Sequence, residues 1–318
     1  MKIVILDGYG ANPGDLSWEG LEALGELIVY DRTPRELVAE RMAGAEAVFT
    51  NKSLIDDVAM AACPDLKFIG VLATGYNVVD TAAARKRGIA VCNVPAYSTP
   101  DVVQMTMALL LEICLHVGHH SDEVHKGRWQ NNADFCFWDT PLIEISGKTL
   151  GIIGYGTIGK AVARVAAAFG MKVLVTGRPG KAVEAEACCT AVTLEELLAQ
   201  SDVVSLHCPL TADNQGLICK ETIAKMKDGA ILLNTGRGPL LNEQDVADAL
   251  NSGKLYAAGV DVVSAEPIKA ENPLLQAKNC IITPHIAWAT EEARKRLLAV
   301  SVSNLEAFLA GKPVNVVN

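Results

Sequence analysis

The sequence predicts an α/β protein built on doubly wound parallel sheets. Three observations carry this expectation. Short apolar runs alternate with helix-patterned stretches along the chain, a glycine fingerprint joins one such run to a helix, and polar residues gather directly after the later runs. In the first half, strands are expected near residues 3–6, 27–30, 47–50, 67–71 and 89–92, with helical stretches between them, as in a small parallel-sheet domain. Thr99-Pro100-Asp101 then reads as an N-cap followed by proline at the first helical position. It opens a long apolar helix through Met105, Leu109, Leu110 and Ile113. From Thr149 onward, strands are expected at 149–153, 172–176, 203–207, 230–234, 257–262 and 280–283, and six strands suit one doubly wound sheet. A final helix, 291–310, could close either domain. No Gly/Ser linker, low-complexity tract or internal repeat beyond the βα alternation interrupts this pattern.

The most informative stretch is Gly154-Tyr155-Gly156-Thr157-Ile158-Gly159, which lies between the run 149–153 and a helix expected over 160–169. The first glycine allows a tight strand-to-helix turn, the second lets backbone approach a pyrophosphate, and the third lets helix and strand pack closely. The anion then rests on unpaired N–H groups at the helix N-terminus. After the next strand an NAD site usually carries an Asp or Glu for the ribose hydroxyls. Here the chain reads Thr176-Gly177-Arg178, so the acid is missing. A guanidinium forks well onto phosphate, which suits Arg178 to a 2′-phosphate, with Thr176 as a hydroxyl partner. NADP(H) is therefore favoured and NAD(H) stays open, while an ordinary solvated turn arginine is the duller alternative.

Composition agrees with an intracellular two-domain enzyme: 318 residues, 50% of them hydrophobic, can fill large cores. No apolar run approaches a membrane span, and Met1-Lys2 leads into a strand-like run rather than a signal peptide, so the cytoplasm is the expected location. The net charge of -9 and the lack of a basic cluster argue against a nucleic-acid surface. Nine irregularly placed cysteines with no C-x-x-C suggest reduced thiols, and the adjacent Cys188 and Cys189 have the wrong spacing for redox or metal chemistry.

In open α/β sheets, ligands collect beyond the C-terminal strand ends. Three segments there carry reactive groups: Thr235-Gly236-Arg237-Gly238, Ser264-Ala265-Glu266-Pro267, and Pro284-His285. An arginine can clamp a carboxylate, a histidine can move a proton near neutral pH, and a carboxylate can orient that histidine. Hydride exchange between a nicotinamide and a 2-hydroxy acid requires this set. Taken singly, Arg237 and Glu266 could be a structural ion pair and His285 could merely cap a strand. His207, in His207-Cys208-Pro209-Leu210, also follows a strand and ranks below His285 for proton transfer. His116, His119, His120 and His125 have helical spacing, but no carboxylate or cysteine completes a metal site, so no metal is expected. Trp129, Phe135, Phe137 and Trp138 read as core, as an interface or as a substrate wall.

Several signatures occur together and in order: Leu72-Ala73-Thr74-Gly75-Tyr76-Asn77-Val78-Val79-Asp80, Asn93-Val94-Pro95, the glycine fingerprint, His207-Cys208-Pro209-Leu210-Thr211, Asn234 to Gly238, Asp261 through Glu266-Pro267, and Pro284-His285. Over nearly its whole length the chain resembles the D-isomer-specific 2-hydroxyacid dehydrogenase family, especially its glycerate dehydrogenase or hydroxypyruvate/glyoxylate reductase branch. The resemblance implies two Rossmann/flavodoxin-like domains with a cleft between them. One is a discontinuous substrate domain of residues 1–98 and 288–318, and the other a dinucleotide-binding domain of residues 99–287. It implies that Arg237 binds the substrate carboxylate, that His285 is the acid/base paired with Glu266, and that N–H groups around Thr74 and Gly75 meet the carboxylate. It further places Asp261 on the nicotinamide amide and makes the segments around His207-Cys208-Pro209 and Thr235-Gly236 part of the cofactor wall. A homodimer through the central helices and the segment after Trp129 is expected, with Trp138 as a pocket donor. Many relatives carry Ser or Ala where Gly236 stands and an acid where Gly177 stands. The expected activity is reduction of hydroxypyruvate to D-glycerate and of glyoxylate to glycolate; a dehydrogenase for another 2-oxo acid is the alternative within the class, and a dinucleotide-sensing corepressor the alternative from a different class.

Overall fold

A computed structural model describes residues 1–177 and 183–318. The chain divides into two compact units, Met1–Ser98 with Ala289–Asn318, and Thr99–Trp288. Trp288, which the sequence reading assigns to the first unit, falls in the second.

In the first unit β1 (Lys2–Ile5), β2 (Glu26–Val29), β3 (Ala47–Thr50), β4 (Phe68–Val71) and β5 (Ala90–Cys92) form a parallel sheet in the order β2-β1-β3-β4-β5. Every residue of β3 and β4 is buried, because helices cover both faces of a parallel sheet. This burial explains why both strands are apolar runs rather than alternating ones. One face packs Val4, Val48, Ile69 and Val91 into a core. On the other, Phe68 stacks at a tilt on Phe49 and on Phe308 of the helix Glu291–Leu309, with centroids 5.7 and 5.2 Å apart. That helix therefore closes the first unit, where Arg294 grips Asp15 through two 2.6 Å hydrogen bonds. The sheet order turns between β1 and β3, and Asp7, just past β1, bridges this switch point. Its carboxylate accepts the N–H groups of Asn51, Lys52 and Ser53 at 2.7, 2.6 and 2.7 Å.

The second unit is a seven-stranded parallel sheet, where the sequence reading expects six strands. It contains β6 (Thr149–Ile153), β7 (Lys172–Thr176), β8 (Cys189–Ala191), β9 (Val203–Leu206), β10 (Ala230–Asn234), β11 (Leu255–Val260) and β12 (Cys280–Ile282). The order is β12-β11-β10-β9-β6-β7-β8, all parallel. The additional strand, β8, is a three-residue edge with largely exposed side chains, so it leaves no apolar signature. The helix Thr99–Leu115 packs on Thr157–Ala168, with Leu110 and Ile113 sharing a core with Val162 and Ala166. Among the described residues no single helix is long and apolar enough to cross a membrane.

Candidate active site

The sheet order reverses between β6 and β9, so a crevice opens beyond the carboxyl ends of these two strands. The glycine fingerprint occupies it. Gly154 has φ +103° and lies so close to the β9 exit that a Cβ there would sit 2.4 Å from the Cys208 nitrogen. A Cβ on Gly159 would meet the Gly154 carbonyl oxygen at 2.1 Å, whereas one on Gly156 would point into open space. The first and third glycines thus allow internal packing, and the second leaves room for a ligand. Gly156 is the N-cap of the helix Thr157–Ala168, which begins three residues before the expected 160 because Thr157-Ile158-Gly159 already form its first turn. Thr157 and Ile158 present N–H groups at that end. The cradle fits a dinucleotide pyrophosphate.

Beyond β10, Asn234 folds the next turn on itself. Its Oδ1 accepts the Gly236 N–H at 3.0 Å and its Nδ2 donates to the Arg237 carbonyl at 2.9 Å. Thr235 is anchored from beneath: Thr106 Oγ1 gives its single proton to Val102 O at 2.7 Å, so across the 3.1 Å contact Thr235 is the donor. The exposed Arg237 side chain donates through Nη1 to the Gly236 carbonyl at 2.8 Å and forms no ion pair among the described residues. The structural Arg237–Glu266 pair is therefore not formed.

Glu266 instead holds His285. Nδ1 of the histidine lies 2.6 Å from Glu266 Oε2, which leaves Nε2 as the ring nitrogen that can pass a proton to a ligand. His285 has φ +55°, the left-handed region that non-glycine residues avoid. The segment is held there by Asp261, at 1% exposure, whose carboxylate accepts from Thr283 Oγ1 at 2.6 Å, Ile286 N at 2.9 Å and Ala287 N at 2.8 Å. Arg237, Glu266 and His285 follow the neighbouring strands β10, β11 and β12, so these strand ends present a guanidinium and an imidazole oriented by a carboxylate.

Sequence comparison agrees with this geometry. Residues 107–287 match the family described as "D-isomer specific 2-hydroxyacid dehydrogenase, NAD binding domain". The chain is 60% identical to a hydroxypyruvate reductase of Blautia hydrogenotrophica, with all of both chains covered. The chain belongs to the D-isomer-specific 2-hydroxyacid dehydrogenase family. A glycerate dehydrogenase of Methylorubrum extorquens is 44% identical over 90% of this chain and 89% of its own. Among solved structures, an acyclic imino acid reductase (Bsp5) in complex with NADPH and D-Arg superposes with a TM-score of 0.87 at 30% identity, over 100% of each chain. The protein is thus a nicotinamide-dinucleotide-dependent oxidoreductase with two Rossmann-type domains.

Within this dehydrogenase the remaining sequence candidates fall in different places. In the first unit, Thr74 spends its hydroxyl on Val94 O at 2.9 Å and its carbonyl on Asn93 Nδ2 at 2.7 Å. No hydrogen bond among the described residues uses the Thr74 or Gly75 N–H groups. Thr176 ends β7 and Gly177 follows it, whereas Arg178 lies outside the described residues. Trp138 is exposed, and no interaction among the described residues ties it to Arg237, Glu266 or His285. His119 pairs with Asp139 at 2.6 Å, and Arg128 shares that carboxylate at 2.6 Å.

Glu243, in the first turn of the helix Glu243–Ser252, carries no motif but joins two of the loops. Its carboxylate accepts from Ser264 N at 2.7 Å, Ser264 Oγ at 2.6 Å and Asn272 Nδ2 at 3.0 Å. Gly238 lies against the same backbone, where a Cβ would fall 1.9 Å from the Val263 carbonyl carbon. The turn bearing Arg237 and the turn bearing Glu266 are locked face to face. Glu243→Ala is expected to lower kcat by about tenfold, equivalent to about 1.4 kcal/mol, and to shift the pH profile of turnover, while dinucleotide affinity stays unchanged. Glu243→Asp should restore part of the loss. Stopped-flow turnover across pH checks this positioning role; a fall in thermal stability with unaltered kcat and pH profile would refute it.

His207 is tied by Nε2 to Ser205 Oγ at 2.8 Å, and burial pushes its pKa down from 6.5 to about 4. It is neutral at physiological pH and so is a poor proton donor. The sign follows from linkage: between pH 6.5 and 4 the unfolded chain takes up this proton and the folded one resists it, so stability is lost as pH falls through that window. His207→Gln is expected to remove up to about 3 kcal/mol of that loss, measured by urea unfolding at stepped pH. Parallel pH curves for wild type and variant would contradict it.

Proposed function

We propose that the enzyme reduces hydroxypyruvate to D-glycerate, with glyoxylate as second substrate and NADPH as preferred reductant. The observation that carries the chemistry is the 2.6 Å His285–Glu266 pair at strand ends that also present Arg237, which forms no ion pair among the described residues. The full-length 60% identity to a hydroxypyruvate reductase supports the substrate. When bound, the dinucleotide supplies the hydride. Arg237 anchors the substrate carboxylate as a planar fork. His285, protonated and aligned by Glu266, donates to the carbonyl oxygen as negative charge develops there. The pyrophosphate rests on Gly156, Thr157 and Ile158, with Thr235, Gly236 and the His207-Cys208-Pro209 segment as walls. Asp261 has about one of its roughly four lone-pair positions left for the carboxamide after its three internal bonds.

The segment after the central helix exposes Leu115, Val117, Trp129, Phe135 and Trp138. Such a run favours a homodimer in which Trp138 reaches the partner's pocket. Sedimentation equilibrium is expected to give a dimer, and a monomer at micromolar concentration would remove this part of the reading.

His285→Ala should lower kcat about 10²-fold or more with cofactor affinity retained, and Arg237→Ala should impair kcat and KM together. Across a panel of 2-oxo acids, kcat/KM should rank hydroxypyruvate first, glyoxylate second, and pyruvate and phenylpyruvate far behind. A pocket that hydrogen-bonds the substrate hydroxyl rejects analogues that lack it. Comparable efficiency on phenylpyruvate would overturn the substrate while leaving the dehydrogenase chemistry intact.

The cofactor preference draws on Thr176, Gly177 and Arg178, where no acid follows β7, and on the NADPH complex of the imino acid reductase. Arg178→Ala should weaken NADPH by about 1.5 to 3 kcal/mol and NADH far less. Titration of both cofactors reads this directly, and equal losses would end the assignment.

A further inference from the structure

Away from the catalytic strand ends, the start of β8 brings Cys188 and Cys189 together. Their sulfurs are 3.5 Å apart, in hydrogen-bonding contact, and no other cysteine pair among the described residues makes such a contact. Adjacent spacing is wrong for a C-x-x-C site, but the two side chains converge. Cys188 is exposed and Cys189 half-buried, and both line an open cavity of about 600 Å³ with Lys172 and Gln200, so a small reagent can enter.

The pair is wired to the dinucleotide loop. The Tyr155 hydroxyl, from the second position of the glycine fingerprint, donates to Cys189 Sγ at 3.5 Å and accepts the Glu186 N–H at 3.3 Å. Glu186 is in turn fixed by Arg164 through hydrogen bonds of 2.8 and 2.6 Å. Any group that replaces the thiol proton acceptor of Tyr155 therefore acts on the residue between Gly154 and Gly156.

Two features select the ligand. Consecutive Cα atoms are about 3.8 Å apart, below the roughly 4.4–6.8 Å that ordinary disulfides span, so direct closure of the two sulfurs is strained. A single soft atom inserted between them removes that strain, and thiolate pairs prefer soft acceptors. We propose that Cys188 and Cys189 form a vicinal-dithiol site for trivalent arsenicals, coupled through Tyr155 to the loop that holds the dinucleotide. With an arsine oxide, two As–S bonds form, the As–O bond breaks, and both thiol protons leave with the oxygen as water. Arsenic stays trivalent and nothing is oxidised.

The test uses phenylarsine oxide on the whole protein, read by intact mass, free-thiol count and the affinities for NADH and NADPH. Expected are one tightly bound equivalent, loss of two titratable thiols, release by a dithiol but not by a monothiol, and weakened dinucleotide binding. Cys188→Ser and Cys189→Ser should each lower arsenical affinity by about tenfold or more, a change of about 1.4 kcal/mol, while Cys219→Ser leaves it unchanged. Tyr155→Phe should still bind the arsenical, with dinucleotide affinity that no longer responds. Equal stoichiometry and affinity in the Cys188→Ser/Cys189→Ser double variant would overturn the site, and unchanged dinucleotide affinity in the treated wild type would overturn the coupling.

Discussion

The carboxylate of Asp261 fixes the segment that carries His285, which sits in the left-handed backbone region that few non-glycine residues occupy. A left-handed non-glycine residue costs on the order of 1 to 3 kcal/mol. Against this stand three hydrogen bonds to a buried anion, each contributing about 1.5 to 3 kcal/mol, from Thr283 on one side of the histidine and Ile286 and Ala287 on the other. The balance favours the strained form. His285 is then delivered to Glu266 with its ring already turned, and the 2.6 Å contact fixes which nitrogen faces outward. Loss of the Asp261 carboxylate would remove the clamp and the ring orientation together.

A second constraint makes the three strand ends act as one body. Gly238 admits no side chain because the Val263 and Ser264 backbone fills that space, and Glu243 reaches across to hold Ser264. The turn after β10 therefore cannot shift without moving the turn after β11. Arg237 and Glu266 sit on these two turns, so the spacing between the guanidinium and the carboxylate that holds His285 is inherited from backbone packing. Hydride transfer is steeply sensitive to placement, and this rigidity serves it better than a flexible side-chain contact would.

Much of this was legible in the sequence, for physical reasons that also explain what was not. The central strands announced themselves because a parallel sheet buries both faces, which turns β3, β4 and β10 into unbroken apolar runs. Edge strand β8 carries Cys189-Thr190-Ala191 with little burial and gave no such run. The glycine loop, Arg237, Glu266 and His285 stood out because each is a chemically loaded residue directly after a strand. Asp7, Thr106 and Glu243 did not, since each acts on backbone or on a neighbouring hydroxyl far away in sequence, and an isolated Asp, Thr or Glu reads as solvated surface or helix interior. Asn272 beside Pro273 reads as a local cap for the turn Pro273–Gln276, and only the fold brings its Nδ2 to the Glu243 carboxylate.

The chain also shows why strand-end position alone does not name a catalytic group. His207 and His285 both follow strands of the same sheet, and a motif search weighs them alike. Their surroundings separate them. His207 meets only a serine hydroxyl and a desolvating shell, which hold it neutral with a pKa near 4. His285 meets a carboxylate, which keeps the ring aligned. A reductase must deliver a proton as the carbonyl oxygen gains charge, and a neutral imidazole is a far weaker acid than an imidazolium. In the proposed mechanism the same imidazole is wall material at one strand end and acid at another, and the difference is set by Ser205 and Glu266 rather than by the histidines themselves.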